Sequence, residues 1–168
     1  SDAYQRTSVF RHEANLRKDP DNRYLWRMNR RRLESEALWD AMLSAAGTLT
    51  LRMGGKPAAP PLAEDELSGI STAWQWPVSG DPEEHHRRGV YLLVRRNFPY
   101  PMFGAFDGPG NAVSCPQRDV SSVAPQALWF LNNRVIFQQA VELATRLVKE
   151  RGDDPAVWVE RAWQLTLA

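Results

Sequence analysis

PQALWFLNNRVIFQQAVELATRLVKERG, residues 125–152, is the stretch whose reading decides the fold. Pro125 suits the first turn of a helix, where its missing N–H costs nothing. Ile136, Ala140, Leu143, Ala144, Leu147 and Val148 recur at three- and four-residue spacing. That spacing puts them on one face of a 3.6-residue helix and predicts a helix over Arg134–Arg151, closed by Gly152. Residues 126–131 predict one or two turns of their own, with Asn132-Asn133 as a break between the two segments. Beyond Gly152, Asp154-Pro155 reads as an N-cap followed by a first helical residue. The helix it opens would align Trp158, Ala162 and Leu165.

Upstream, residues 30–46 form the other strong helical pattern. Asn29 is the expected N-cap and Gly47 the left-handed stop. Leu33, Ala37, Leu38, Ala41, Met42 and Ala45 make its apolar stripe, and Arg30–Glu34 and Arg32–Glu36 are spaced as i,i+4 pairs. Asp19-Pro20-Asp21-Asn22 is a turn signal. Between the helices, Gly54-Gly55-Lys56-Pro57-Ala58-Ala59-Pro60-Pro61 breaks regular structure. Residues 70–78 and 90–94 are the strand candidates, the second a β-forming run bounded by Gly89 and Pro99. Residues 97–111 alternate aromatics with Pro and Gly and predict an ordered coil with one helical turn at 102–106. The fold class is mainly α: a helical domain with long ordered aromatic and Pro-rich loops and a short two-stranded β element. One domain over 1–168 is expected. Ser1 in place of Met, and the apolar helical run at 157–168, read as cuts inside a larger multidomain protein.

Composition narrows the function. The 168 residues carry a net charge of +1 and a single cysteine. That count leaves no internal disulfide framework, no multi-cysteine zinc cluster and no CxxCH haem attachment. No apolar run approaches the ~18 residues that span a bilayer. Basic residues are 18 Arg and 3 Lys, and there are seven Trp. Arginine suits planar contacts with carboxylates and carbonyls and tolerates partial burial. Net charge alternates along the chain: +3 over residues 1–52, −3 over 53–93, +3 over 94–151 and −2 over 152–168. Blocks this weak predict pairing within the molecule.

Few residues carry chemistry. Cys115 has no histidine tied to it by a local signature, so a packed or weakly exposed thiol is expected. His85-His86 beside Glu83-Glu84 lacks the i,i+2 or i,i+4 spacing of metal ligands, and no metal is assigned. Gly54-Gly55-Lys56 is not a phosphate loop, and neither GxSxG nor HExxH occurs. Arg30-Arg31-Arg32 and Arg95-Arg96 invite a nucleic-acid reading, which near-zero net charge and scarce lysine oppose. Trp74, Trp76, Tyr100 and Phe103 are the candidates for a sugar-stacking platform, with core or interdomain packing the favoured role. Arg95, Arg96, Asp107 and Arg118 form the candidate polar cluster of a partial active site.

Certain segments, taken in order, form a recognisable series. They are Asp19-Pro20-Asp21-Asn22-Arg23, Arg31 through Leu43, Met53-Gly54-Gly55, Arg88-Gly89-Val90-Tyr91 to Arg95-Arg96, and Phe106-Asp107. Ser114-Cys115-Pro116-Gln117-Arg118 and Val123-Ala124-Pro125-Gln126 to Leu131-Asn132 complete it. From about residue 7 onward the chain resembles the planctomycete-specific C-terminal domain of unknown function (domain-of-unknown-function family 1553). The family's proline before the double arginine is Arg30 here, and its proline after Leu131-Asn132 is Arg134. The second change favours a continuous helix across residues 132–134. The resemblance carries over no catalytic residue. It implies a bacterial, periplasmic or extracellular, multidomain protein of the cytochrome c-associated type. Any haem would sit in a separate domain, with no cofactor in this chain. The expectation is a non-catalytic structural or interaction module whose partners are neighbouring domains of the same polypeptide. Polysaccharide binding through the aromatic loops, and an active site completed by an upstream domain, are the alternatives. Several of the seven tryptophans should then face a partner domain.

Overall fold

A computed structural model describes residues 2–68, 75–96, 98–110, 114–119, 121 and 123–167, the side chain of Asp65 excepted. The chain divides into two compact units, Ser1–Leu33 and Glu34–Ala168. The first holds two short helices, α1 (Asp2–Gln5) and α2 (Glu13–Lys18), and a loop that folds on its own polar side chains. Asp19, 6% exposed, accepts the N–H groups of Arg23 and Tyr24 at 2.9 Å each. The Asn22 amide clamps both the N–H and the carbonyl of Arg27, at 3.2 and 2.7 Å. Asn22 itself sits at φ 54°, a left-handed conformation that asparagine tolerates better than most residues. The turn expected at residues 19–22 is therefore present and extends to Asn29.

The second unit is mainly helical: α3 (Ser35–Ala46), α4 (Glu64–Leu67), α5 (Pro101–Ala105), α6 (Ala124–Asn132), α7 (Arg134–Arg151) and α8 (Pro155–Leu167). Two 3₁₀ turns, Pro82–His86 and Gly89–Tyr91, lie between α4 and α5. No described helix is long and apolar enough to cross a membrane. Helix α3 starts at Ser35, not near residue 30, and Glu34 precedes it without a side-chain cap. Residues 30–34 are outside the helix, so Arg30–Glu34 and Arg32–Glu36 have no helical i,i+4 geometry. The buried face is also rotated from the expected one. Trp39 and Leu43, 1% and 0% exposed, turn inward with Ser35 and Ala46, while Leu33, Ala37 and Ala41 are exposed. A tryptophan and a leucine remove far more apolar surface from water than alanines do, and they set the rotation.

Helix α3 packs most extensively on α7, and α8 packs on both. Gly47 closes α3 at φ 80°, as expected. The remaining α3 carbonyls are met from α7: the Arg146 guanidinium donates to Ser44 O at 3.1 Å and Ala45 O at 2.9 Å. Positive charge at a helix C-terminus also suits the helix dipole. Arg146 continues to Glu150, which accepts from Arg161 of α8 as well, so one ion-pair chain joins three helices. Helices α6 and α7 do not fuse. Asn133 is extended (ψ 131°), caps α7 by accepting from Val135 N at 2.8 Å, and donates to Glu66 at 3.0 Å. The arginine at 134 permits a helix there, but Asn133 finds stronger partners in the bend. Asp154 caps α8 through Ala156 N at 3.0 Å.

The expected strand pair between residues 74–78 and 90–94 does not form among the described residues; residues 70–74 lie outside them. Residues 89–91 make a 3₁₀ turn, and Leu92 bridges in parallel to Ala58. A second isolated bridge joins Thr50 and Arg87. The loop at 50–59 therefore runs beside residues 86–93 in place of a hairpin. Arg87 holds it there. This guanidinium is 1% exposed and donates to the carbonyls of Lys56 (3.0 Å), Arg52 (3.3 Å) and Gly54, and to Glu84 (3.0 Å). Its plane lies 4.2 Å over the Tyr91 ring, and the Tyr91 hydroxyl accepts from Gly54 N. Trp39 Nε1 donates to the Arg87 carbonyl at 2.9 Å, which ties the loop to α3.

Substitutions at two positions test this frame. Arg87→Met should lower the unfolding free energy by about 3 kcal/mol, the scale of several lost charge-assisted hydrogen bonds in a buried site. Arg87→Lys should recover less than half of it, because one ammonium cannot reach the same oxygens as a planar fork. Urea unfolding of the three proteins measures both. Gly89→Ala should also destabilise, because its Cβ would stand 2.9 Å from Glu36 Cα and O. A midpoint equal to that of the unsubstituted chain would contradict the packing of the 89–91 turn on α3.

Candidate functional site

Core formation accounts for most of the aromatic candidates. Trp76, Tyr100 and Phe103 are 7%, 2% and 6% exposed and belong to one cluster with Trp39, Leu43, Leu92, Met102 and Phe106. Tyr100 sits at its centre, with ring centroids 5.5 Å from Trp39, 6.2 Å from Trp76 and 6.1 Å from Phe103. Edge-to-face contacts of this kind use the ring faces that a sugar would need. Trp76 Nε1 donates to Pro60 O at 2.7 Å. Burial drives the Tyr100 phenol pKa far up, assisted by the Glu66 charge, so the hydroxyl stays protonated. These three residues come together as core and present no stacking surface. Trp74 lies outside the described residues. The helical turn expected in this coil is present, at Pro101–Ala105.

The polar candidates are also engaged. Arg118 forks onto Glu36, with donors at 2.6 and 2.9 Å, and reaches Glu34 at 3.3 Å. Asp107, at φ 56°, accepts from the N–H and the hydroxyl of Ser121, both at 2.8 Å. Gln126 of α6 donates to that same hydroxyl at 3.1 Å. Next to Asp107, a Cβ on Gly108 would lie 2.7 Å from the Phe103 carbonyl, so the chain can turn here only with glycine. Arg95 and Arg96 are exposed on the turn between bridge residues Arg95 and Phe98. Arg118 thus binds a carboxylate of α3, and Asp107 braces the entry to α6. Cys115 is exposed and its thiol lies 3.2 Å from Gln117 O. His85 Nε2 is 2.8 Å from Ser79 O, an arrangement that requires the proton on that nitrogen. Among the described residues, no three His, Cys, Asp or Glu side chains group as metal ligands.

Sequence reasoning missed the surface that is left unpartnered. On α7, Phe137, Val141 and Val148 are 71%, 49% and 42% exposed. With the exposed Ala144 they follow i, i+4, i+7, i+11 spacing, one stripe along the helix. On α8, Val159, Trp163 and Leu167 follow i, i+4, i+8 and are 69%, 66% and 65% exposed. The inward faces of the same helices are separate: Ile136, Gln139, Leu143 and Leu147 on α7, and Trp158, Ala162 and Leu165 on α8. Each helix therefore has two apolar sides. The signal was legible as apolar arcs wider than the roughly 100° stripe that a surface helix needs. Of the tryptophans, Trp39 and Trp76 serve this domain's own core, and Trp163 is turned outward.

A helical domain that packs Trp76, Tyr100 and Phe103 into its own core, ties Arg118 and Asp107 to its own elements, and keeps an open apolar side on its last two helices is the class this fold defines. The model of the PSD1 family, proteins of unknown function designated DUF1553, matches residues 1–168, and the chain belongs to that family. No curated protein and no solved structure matches it.

Two shifted groups on the α3 side govern the response to acid. Burial alone would raise the Glu36 carboxyl, but hydrogen bonds from Arg118, its own amide and Ser35 outweigh this and hold it below its ordinary 4.5. Burial and the neighbouring His85 hold His86 below its ordinary 6.5, against the pull of Glu142. Both groups are more readily protonated in the unfolded chain, so stability falls as pH falls. The melting temperature should begin to drop below pH 6.5 through His86 and drop further below 4.5 through Glu36. His86→Gln should remove the first part of that drop and leave the second, as read from thermal melts across the range.

Proposed function

We propose that this chain is a non-catalytic interaction module that docks through α7 and α8 onto a neighbouring domain of its own polypeptide, outside the cytoplasm. The observation that carries the reading is the pair of apolar stripes, Phe137–Val141–Val148 and Val159–Trp163–Leu167, on helices that already use another side for the core. Large exposed side chains in register along a helix mark interaction surfaces, whereas scattered ones do not. Supporting it from the other direction, Arg118, Asp107, Trp76, Tyr100 and Phe103 all have structural partners. The resemblance to a domain of planctomycete multidomain proteins supports the choice of partner and the periplasmic or extracellular location.

Hydrogen exchange tests it. In the polypeptide that the gene encodes, amides at 137–148 and 159–167 should exchange more slowly than in the 168-residue chain. Phe137→Glu combined with Trp163→Glu should abolish that difference while leaving far-ultraviolet circular dichroism unchanged. Equal exchange in both forms would overturn the reading. So would concentration-dependent dimerisation of the 168-residue chain that the two substitutions abolish, since the stripes would then serve a second copy.

A further inference from the structure

Charge is concentrated in the first unit. Ser1–Leu33 carries nine basic and four acidic side chains, a net +5, in a chain whose total is +1. One of the four acids is Asp19, buried with both oxygens engaged by backbone N–H groups, and it forms an ion pair with none of the described arginines of the unit. Segments 8–11 and 27–30 of this unit enclose a cleft of about 380 Å3. Arg11, Arg27, Arg30, Ser8 and Asn29 line it together with Val9 and Met28, and no acidic residue does. Its volume is within the range of small-molecule sites, about 300–1,000 Å3.

The polar side chains of the cleft all carry donors, and its walls are held in place. The Asn22 amide fixes the backbone of Arg27 from behind, and its nitrogen also donates to Asn29 Oδ1 at 2.7 Å. Asn29 therefore spends its acceptor internally and keeps its N–H2. Met28 N to Thr7 O, 3.4 Å, ties one wall to the other. Arg27 stacks on Trp26 at 4.8 Å, and neither it nor Arg30 has a carboxylate partner among the described residues. Arg11 engages Glu13 through Nε alone, at 3.2 Å, with both side chains mostly exposed. Such a pair is weak and leaves the terminal N–H2 groups of Arg11 open.

Three guanidinium groups with a hydroxyl and an amide exceed what one carboxylate can satisfy, because a single arginine fork already covers its two oxygens. A tetrahedral dianion has twice the charge and more oxygens to offer. We propose that this cleft binds the phosphate group of a small-molecule monoester, a role independent of the α7–α8 surface.

Calorimetric titration of the full chain with inorganic phosphate, inorganic sulfate and acetate tests the proposal. Saturable binding of phosphate or sulfate, with acetate at least tenfold weaker, is expected. Arg27→Gln and Arg30→Gln should each weaken the binding roughly tenfold, the scale of a lost charge-assisted hydrogen-bond pair. Arg134→Gln removes the same charge from α7 and should leave binding unchanged; circular dichroism confirms that each variant folds. Inorganic sulfate serves as a tetrahedral dianion whose charge does not change with pH, and the pH dependence separates it from phosphate. Affinity for phosphate should rise as it gains its second charge, near pH 6–7, while affinity for sulfate stays flat. No saturation by phosphate or sulfate, acetate binding as tightly as either, or an equal loss in Arg134→Gln would overturn it.

Discussion

A guanidinium withdrawn from water needs oxygen partners for its donors, and in this chain the two terminal nitrogens of Arg87 organise the second unit by collecting them, while its buried Nε has no hydrogen-bond partner among the described residues. Its carbonyl partners, Arg52, Gly54 and Lys56, belong to a segment with no regular structure of its own. Gly54 and Gly55, at φ 72° and 89°, let the backbone curl so that the carbonyls converge on one side chain. Glu84 supplies the countercharge and also binds Arg52. The Arg87 carbonyl in turn receives Trp39, so the same residue holds the loop with its side chain and α3 with its backbone. Without it, the 50–59 segment has no sheet to join, and the floor of the aromatic cluster around Ala58 and Leu92 is unsupported.

The helices were legible in the sequence where a local signal ends them. Gly47, Gly152 and Asp154-Pro155 each mark a boundary that the structure keeps, because capping depends on the backbone within one turn. Alternation of charge along the chain predicted little of the pairing: Arg52 with Glu84 joins a basic block to the acidic one in the expected sense, but Arg88 of the acidic block pairs with Asp40, and Arg118 and Glu36 both belong to basic blocks. What was not legible depends on distant partners. The true face of α3 is set by where Trp39 meets Arg87, 48 residues away. The run at 90–94 has strand composition, but its backbone partner is Ala58, and no local pattern announces that. For the aromatic candidates, packing was the favoured role, and Trp76, Tyr100 and Phe103 are found in the core. Aromatics between prolines resemble a binding loop until three of them prove to pack on one another. The arginine cleft was missed because charge was summed over residues 1–52, where residues 34–52 contribute −2 and reduce the +5 of residues 1–33 to +3.

The two ends of the chain follow opposite economies. In the first unit, short polar side chains (Asp19 and Asn22) replace an apolar core and hold a loop through backbone hydrogen bonds. In the second, apolar rings form the core and polar side chains act as ties between elements. A segment of 33 residues cannot bury enough apolar surface to order itself by that means alone. Its dependence on hydrogen bonds is therefore a matter of size, and the same bonds fix the cleft walls.

The Arg146 contacts with Ser44 and Ala45 join positions 102 and 101 residues apart. Helical proteins fold quickly when neighbouring helices meet in sequence order, since each closure costs little chain entropy. Here α3 can complete its C-terminus only after the whole intervening chain has returned to it. Nucleation in α7 and α8 is local, but the docking of α3 is a late, entropically demanding event. The domain should consequently refold on the timescale of mixed or β topologies in spite of its helical content.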